Sequence, residues 1–358
     1  MSSQRRFRLA VPCAAVLLVM LPAFASGQDA PALLERRGDA ATELLFGVKD
    51  AAVRLDAVAV LTEPAPAVHL FPAGQYEAWG DEGRGPAELS SPVDLDWVGA
   101  DVMVLDINQH KLVTYGSDGA FKGSRSLGDA WAKRFYVVGG DTLLGTFVPM
   151  TRERAIQRIR HGERTTVVSY ETSDRTVRLE AFGAPSLTVP LPFTPQPHWT
   201  VTSDGLIALW SPGRDGLDLL DRDGRTLTTI EGVGDALEVR PEDREHWFRH
   251  AIPSEFMGRP VFDPLRPVAR EAVEFPEHFP PVLELAGDTR GGVWIRKSTQ
   301  GSGELWVLLS RDGEEQGSLR FPAGRQVLAF GEDRIVALTV DDLEIEIIEV
   351  YAVPRWAR

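Results

Sequence analysis

Cysteine is almost absent from this chain of 358 residues, and its one copy, Cys13, lies inside an N-terminal apolar run. A single thiol excludes an intramolecular disulfide, and no thiol for a metal site remains if this N-terminal run is removed. The sequence also lacks a Gly-x-Ser-x-Gly elbow, a Gly-Lys-Ser/Thr phosphate loop and a His-Glu-x-x-His pair. The usual signatures of serine hydrolases, NTPases and zinc peptidases are missing, so no catalytic residue is assigned.

Basic residues are also few. Lys and Arg number 38 against 52 Asp and Glu, which gives a formal net charge of −14. A surface this acidic repels nucleic acid and anionic lipid and favours solubility. We therefore expect no nucleic-acid partner.

Only one segment is apolar enough to concern a membrane. Residues 9–24 form an apolar run behind three arginines and end in Ala23-Phe24-Ala25. This order is typical of a secretory signal cleaved after Ala25 or Gly27, although a retained anchor is the alternative. Removing residues 1–25 takes away three arginines and no acid, which moves the charge from −14 to −17. We expect a periplasmic or extracellular monomer with no membrane span after signal removal.

The rest of the chain repeats. Asp-Gly pairs at residues 118–119, 223–224 and 312–313 each follow an alternating apolar run, which predicts a tight hairpin. A degenerate copy turns at residues 173–174, and the spacing matches one four-stranded antiparallel sheet. The sequence thus predicts an all-β, six-bladed β-propeller. The expected blades span residues 50–79, 92–127, 135–182, 197–233, 281–322 and 324–355.

The ring needs a closing strand and contains one insertion. We expect residues 44–46 to pair with the last blade, so that residues 44–355 form the propeller behind a lead segment of residues 26–43. Residues 234–280 form the insertion between blades four and five. Its stretch from Arg240 to His250 predicts a short helix with Pro241 in the first turn.

One family resemblance follows from these motifs. The stretch GDEGRGPAEL at residues 80–89, running into PVDL and then VLD, resembles the Gly-x-Gly-Pro-x-Glu-[Phe/Leu] signature of bacterial exported six-bladed β-propellers related to the NHL-repeat group. The segments GDTRGGVWI and LLSRDGEEQGSLRFPAG fit the same group. The resemblance covers most of the mature chain and implies the propeller architecture, not an activity.

Long connections indicate which face of the propeller binds a partner. With strands named A to D from the innermost outward, the B–C and D–A connections share one face, here called the D–A face, and the A–B and C–D turns lie on the opposite face. The long segments at residues 80–91, 149–164 and 234–280 are all expected on the D–A face. Loops on a rigid scaffold often carry binding residues, so this face is the predicted binding face, although long loops are also tolerated without function. The ligand-face candidates are His110, Arg158, His161, His198, Trp199 and Arg214.

Each candidate group has an alternative. The arginines of residues 149–164 form a cluster suited to an anion, or a solvated segment neutralised by nearby acids. Trp199 is either a ligand platform or inter-blade packing. His246 and His250 share a helix face and could hold a metal, although two exposed histidines fit as well. Trp247, Phe248, Phe256 and Met257 are expected to pack on the propeller as a flap, or to bind a partner.

Two functions remain open. The first is a binding scaffold for a protein, peptide or small molecule. The second is a metal-dependent hydrolase or lyase of the lactonase or amidating-lyase propeller type, whose ligands point into the central channel. No motif requires a cofactor, but a divalent ion such as calcium fits the second function. Candidate channel residues are Asp106, Asn108, His110, His198 and Asp215, and for Asp106 and Asn108 the alternative is bonding to turn amides.

Overall fold

The computed structural model describes residues 28–38, 44–63, 65–71, 76–173, 175–214, 216–233, 237–252, 262–299 and 303–357. The predicted export signal, residues 1–25, lies outside these ranges, as do Asp174, Asp215, Phe256 and Met257.

The described residues form mainly short antiparallel strands with two helices. In chain order the elements are β1 (Gln28–Asp29), β2 (Leu33–Arg37), β3 (Val48–Arg54), β4 (Ala57–Thr62), β5 (Val68–Phe71), β6 (Glu77–Trp79), β7 (Pro92–Val98), β8 (Asp101–Asp106), β9 (Lys111–Tyr115), β10 (Phe121–Ser126), β11 (Trp131–Val138), β12 (Asp141–Phe147), β13 (Glu153–Arg160), β14 (Glu163–Glu171), β15 (Thr176–Leu179), β16 (Leu187–Pro190), β17 (His198–Val201), β18 (Ile207–Trp210), β19 (Gly216–Leu220), β20 (Thr226–Glu231), α1 (Pro241–Ala251), α2 (Leu265–Ala272), β21 (Glu284–Gly287), β22 (Val293–Lys297), β23 (Glu304–Leu309), β24 (Glu315–Phe321), β25 (Arg325–Phe330), β26 (Arg334–Val340), β27 (Glu346–Ala352) and a 3₁₀ turn (Arg355–Ala357).

Six sheets follow one another around a ring. Blades one to six are β3–β6, β7–β10, β11–β14, β17–β20, β21–β24 and β25–β27 with β2. The innermost strand of the last blade, β25, contacts the innermost strand of the first, β3, so the ring is closed. The predicted six-bladed β-propeller is confirmed.

The blades adhere through apolar side chains on their facing surfaces. Each of the six neighbouring pairs has a buried cluster of its own. Between blades six and one, for example, Leu45, Val58 and Phe71 pack against Val336 and Ile348. Burial of apolar area is the main favourable term in folding. The alternating strands supply it because each second side chain faces a neighbouring blade.

All three Asp-Gly pairs form C–D turns, between β9 and β10, β19 and β20, and β23 and β24. Gly224 shows why glycine is needed in them. Its φ is +82°, and a Cβ there would lie 2.3 Å from the backbone oxygen of Val167 on blade three. A side chain would thus be strained twice, by the backbone conformation and by the contact.

The closing strand comes from an earlier segment than predicted. β2 pairs antiparallel with β27, Leu33 opposite Tyr351, and supplies the outermost strand of blade six. Residues 44–46 make only one bridge, between Leu45 and Glu346. Residues 44–46 were predicted because they are apolar, and Leu45 is indeed fully buried. β2 is a largely exposed edge strand whose sequence LLERR has no apolar alternation. β1 adds a parallel fifth strand to β24 of blade five.

A buried carboxylate holds this closing strand in place. Glu349 on β27 is 1% exposed. It accepts hydrogen bonds from Arg36 of β2 at 2.8 and 3.1 Å, from Arg325 of β25 at 3.1 and 3.3 Å, and from the Tyr351 hydroxyl at 2.5 Å. Burial raises the pKa of Glu349, but these donors outweigh burial and hold the pKa below its usual range. The ionised carboxylate therefore stabilises the closed ring.

Blade three differs from the prediction. Residues 149–164 were expected to form a B–C loop, but most of them form β13 and the start of β14, and the B–C connection is only residues 148–152. The segment TRERAIQRIR buries Ile156 and Ile159 on opposite sides of a bulge. Because this segment is mainly polar, its sequence did not predict a strand. The C–D turn of this blade lies at residues 161–162, not at residues 173–174.

Two D–A connections combine into an added lobe. The hairpin of β15 and β16 follows blade three, and α1 and α2 follow blade four. Leu179 and Val189 of the hairpin share a buried cluster with Phe248 and Leu265 of the helices. The helix predicted from Arg240 is α1, and the carboxylate of Asp243 accepts a hydrogen bond from the Arg240 amide at 2.9 Å. Neither the hairpin nor α2 was predicted.

The Glu349 network yields a stability prediction. Because the folded pKa of Glu349 is depressed, its contribution is present above the unfolded pKa and disappears as pH falls through the folded pKa. Glu349→Gln should lower the free energy of unfolding at pH 7 by about 2 kcal/mol, the usual cost of hydrogen bonds to a charged group. The variant should also lose less stability than the wild type between pH 5 and about pH 3. Urea unfolding followed by circular dichroism measures both.

The matched control is Glu180→Gln. Glu180 pairs with Arg178, and both side chains are about two-thirds exposed. This substitution should cost at most about 0.5 kcal/mol. Equal effects of the two variants would contradict the role assigned to Glu349.

Candidate functional site

A polar ring lines the central channel. Asp50, Asp94 and Arg134 occupy the same place in blades one, two and three, directly after a one-residue bulge in the innermost strand. A bulge re-aims the side chains that follow it, here into the channel. The channel holds a cavity of about 250 Å³, which Tyr136 and Glu284 also line.

The two aspartates also link consecutive blades. Asp50 accepts a hydrogen bond from the Leu95 amide at 3.0 Å, and Asp94 accepts one from the Phe135 amide at 2.7 Å. In both cases the amide belongs to the innermost strand of the next blade. A buried amide needs such a partner, so part of the role of these carboxylates is structural.

The channel raises the pKa of its carboxyl groups. Burial, followed by the charge of Asp50, raises the pKa of Asp94 well above its usual range, and burial also raises the pKa of Asp50. Burial likewise raises the pKa of Asp96 to about 7 and raises that of Glu284. These side chains keep some accessible surface because the channel is open, but protein surrounds them on nearly every side.

A second cavity of about 270 Å³ opens on the D–A face between blades three and four. We call it the basic pocket, and its principal lining residues are Lys133, Arg134, Phe147, Arg154, Tyr170 and His198. Arg134 lines both this pocket and the channel. Burial, with Arg296 and Arg134 nearby, lowers the pKa of His198 to about 4, so the imidazole is neutral at pH 7.

Trp199 packs between blades at the wall of the basic pocket. Its ring is 7% exposed and meets Tyr136 edge to face with centroids 5.2 Å apart. A Cβ on Gly145 would lie 2.8 Å from the indole, so this glycine lets the ring lie against β12. Of the two roles considered for Trp199, the contacts favour inter-blade packing.

The remaining ligand-face candidates divide between the faces. His110 and Arg214 lie in B–C turns and so on the D–A face, where Arg214 pairs with Asp218. His161 lies in a C–D turn, on the opposite face. Arg158, near the same end of β13, pairs with Asp223 at 2.6 Å. The expectation that His161 and Arg158 lie on the D–A face is therefore wrong, because their segment is a strand and not a loop.

The arginine-rich segment of blade three is neutralised by acids. Arg160 pairs with Asp141 at 2.6 Å and Arg164 with Asp129 at 2.5 Å. The structure does not gather these arginines into one site, because the strand distributes them along the blade.

The predicted metal candidates have other partners. Asp106 is fully buried and accepts hydrogen bonds from the amides of Ser90, Ser91 and Gln109 at 2.5, 3.4 and 3.0 Å, so it anchors the glycine-rich connection. The rings of His246 and His250 lie 4.2 Å apart on the exposed side of α1. Within the described ranges, no three His, Cys, Asp or Glu side chains are placed to hold one metal ion.

Sequence reasoning missed the channel residues. Asp50, Asp94 and Arg134 stand in VKDAAV, PVDLDW and AKRFYV, where a charged residue interrupts an apolar strand. Aligning the innermost strands of the three blades would have placed these charges at one position. That alignment requires blade three to begin at residue 131, whereas the predicted start at residue 135 left Arg134 outside the blade.

Comparisons with solved structures agree with the ring. A member of the DUF4221 family from Bacteroides vulgatus is similar, with a TM-score of 0.51 and 11% identity over 91% of this chain and 99% of that chain. Virginiamycin B lyase from Staphylococcus aureus gives 0.45 and 10% over 89% and 99%, and the calcium-binding protein regucalcin from Agrobacterium tumefaciens gives 0.44 and 10% over 90% and 97%. No family model and no curated protein matches the sequence. The resemblance to uncharacterised bacterial propellers is confirmed in fold, and these identities show the fold alone.

The channel gives a titration prediction. Because the folded pKa of Asp96 is raised to about 7, its contribution to stability is present below the unfolded pKa near 4 and is lost as pH rises through 7. Asp96→Asn keeps the acceptor for the Trp97 amide, which lies 2.7 Å away. At pH 8 the variant should be more stable than the wild type by on the order of 3 kcal/mol. Carbon-13 NMR of the Asp carboxyl groups should show one resonance titrating near pH 7 that the variant lacks.

Asp56→Asn serves as control, since Asp56 is exposed in an A–B turn. It should leave the pH 8 stability and the resonance unchanged. An Asp96 resonance that titrates near pH 4 would disprove the proposed desolvation.

Proposed function

We propose that this protein is an exported binding scaffold that takes its ligand on the D–A face, at and beside the mouth of the channel. One observation carries the proposal: the longest connections of the ring, residues 80–91, 172–197 and 232–283, are D–A connections as far as the structure describes them, and so begin and end on this face. The second of them takes the place of residues 149–164, which were predicted on this face but mostly form strands. The described C–D turns of the opposite face are short. Elaboration of one face of a rigid ring is typical of a binding surface.

Charge supports the same face. The chain is strongly acidic overall, yet the basic pocket brings Lys133, Arg134 and Arg154 together on the D–A face. A local basic site in an acidic protein steers an anionic partner to that place.

Export belongs to the proposal through the N-terminal pattern of residues 1–25. In the described part of the chain, no helix is both long and apolar enough to cross a bilayer. We propose a periplasmic or extracellular monomer that binds a protein, a peptide or a small molecule.

Site-specific photo-crosslinking tests which face is used. Arg152 lies exposed in the B–C turn of blade three, and Arg225 lies exposed in the C–D turn of blade four. Each would be replaced by p-benzoylphenylalanine in protein exported to the periplasm of its host, and adducts would be identified by mass spectrometry. We expect adducts at position 152 at least five times more abundant than at position 225. Equal adducts, or adducts at position 225 alone, would refute the assignment of the face.

A metal-dependent hydrolase or lyase is the second candidate. It is favoured by Asp96, an acid in the channel whose pKa of about 7 suits proton transfer. Turnover of a simple lactone with added calcium, lost in Asp96→Asn but kept in Asp56→Asn, would support it. If elemental analysis finds no bound calcium or zinc and no lactone is turned over, the binding scaffold is the function that remains supported.

A further inference from the structure

The basic pocket has an unusual charge for this chain. Its lining includes three basic side chains, and among the described residues no Asp or Glu takes part. The sequence as a whole contains more acids than bases. A cavity of about 270 Å³ lies near the small end of the range for small-molecule sites. The pocket is thus suited in size and sign to a small organic anion.

Arg134 is the half-buried cation of this pocket. Its guanidinium makes no hydrogen bond or ion pair with any described residue, although Asp50, Asp94 and Glu284 are near enough to raise its pKa, after Tyr136. A guanidinium has five N–H donors in a planar fork that fits a carboxylate. None of its nitrogens is buried without a partner, so the guanidinium keeps accessible surface. The fork of Arg134 is therefore available on the side that opens to the pocket.

Aromatic rings form the walls. Lys133 Nζ and Arg154 Cζ lie 5.2 and 5.6 Å from the centroid of Phe147, at the rim of the pocket. Trp199 and Tyr170 face the same space. These rings would bury an apolar group, while Lys133 at the rim and Arg134 at the base would hold a negative group.

We propose that the basic pocket binds an aromatic carboxylate, with the carboxylate on Arg134 and the ring against Phe147. This inference rests on the proposed function and names the ligand class for its face. Lys133 supplies rim attraction, because it is exposed and forms no ion pair among the described residues. His198 is neutral at pH 7 and adds shape, not charge.

Isothermal titration calorimetry at pH 7.5 and low salt tests the inference with 2-naphthoate as the probe and 2-naphthamide as its uncharged match. Naphthoate should bind at least ten-fold more tightly than the amide. Arg134→Gln removes the guanidinium fork and Phe147→Ala removes the aromatic wall, so each should weaken naphthoate binding at least ten-fold. Lys133→Gln removes only the charge at the rim and should weaken binding about three-fold.

Arg225→Gln is the control, since it removes an exposed arginine on the opposite face and should leave the affinity unchanged. Circular dichroism checks that each variant folds. If Arg134→Gln does not fold, the naphthoate affinities of Lys133→Gln and Phe147→Ala test the inference instead. Equal affinity for the acid and the amide, no binding at about 5 mM naphthoate, or unchanged affinity in the folded variants would overturn the inference. Crosslinking confined to position 152 alongside such a result would leave the proposed face intact.

Discussion

Closure of the ring is the constraint on which every other contact depends. A blade has two neighbours, so an open ring would expose the clusters on both of its end faces. β2 prevents this by completing blade six from the opposite end of the chain, and Glu349 fixes it through Arg36, a contact across 313 residues. Loop closure over such a distance is costly in entropy, and a buried carboxylate that accepts five hydrogen bonds offsets part of that cost. The ring geometry then aligns six innermost strands around one channel.

Local signals made the blades predictable from the sequence. Alternating runs and Asp-Gly turns act within one sheet, and they placed five blades within a few residues. The exceptions were strands whose polar sequence carries no such signal. β2 is an exposed edge, and β13 alternates arginines with two isoleucines, so its strand conformation comes from tertiary pairing with β12 and β14. Because blade three was misplaced, His161 was predicted on the wrong face.

The site was less predictable than the fold because its residues come from different blades. Asp50, Asp94 and Arg134 are separated by about 40 residues at each step, and only the closed ring brings them together. Asp106 was considered for the channel because it follows a strand, yet it is bonded to the amides of its own connection. The position of a polar residue in the sequence therefore does not predict whether its side chain points into the channel. In blades one, two and three, the bulge in the innermost strand decides which side chain enters.

The raised pKa values of Asp50 and Asp94 explain how an acidic channel and a basic pocket coexist around Arg134. If Asp50 and Asp94 were both ionised, two negative charges would face one guanidinium, and repulsion between the carboxylates would open the links between blades one, two and three. Burial raises the pKa of both carboxyl groups, which favours their protonated form and lowers the negative charge on the pair. Tyr136, and then the two aspartates, raise the pKa of the Arg134 guanidinium, which is ionised in any case, and no hydrogen bond or ion pair with these described residues uses its donors. Arg134 can therefore stabilise the channel by its field and still present its fork to the D–A face.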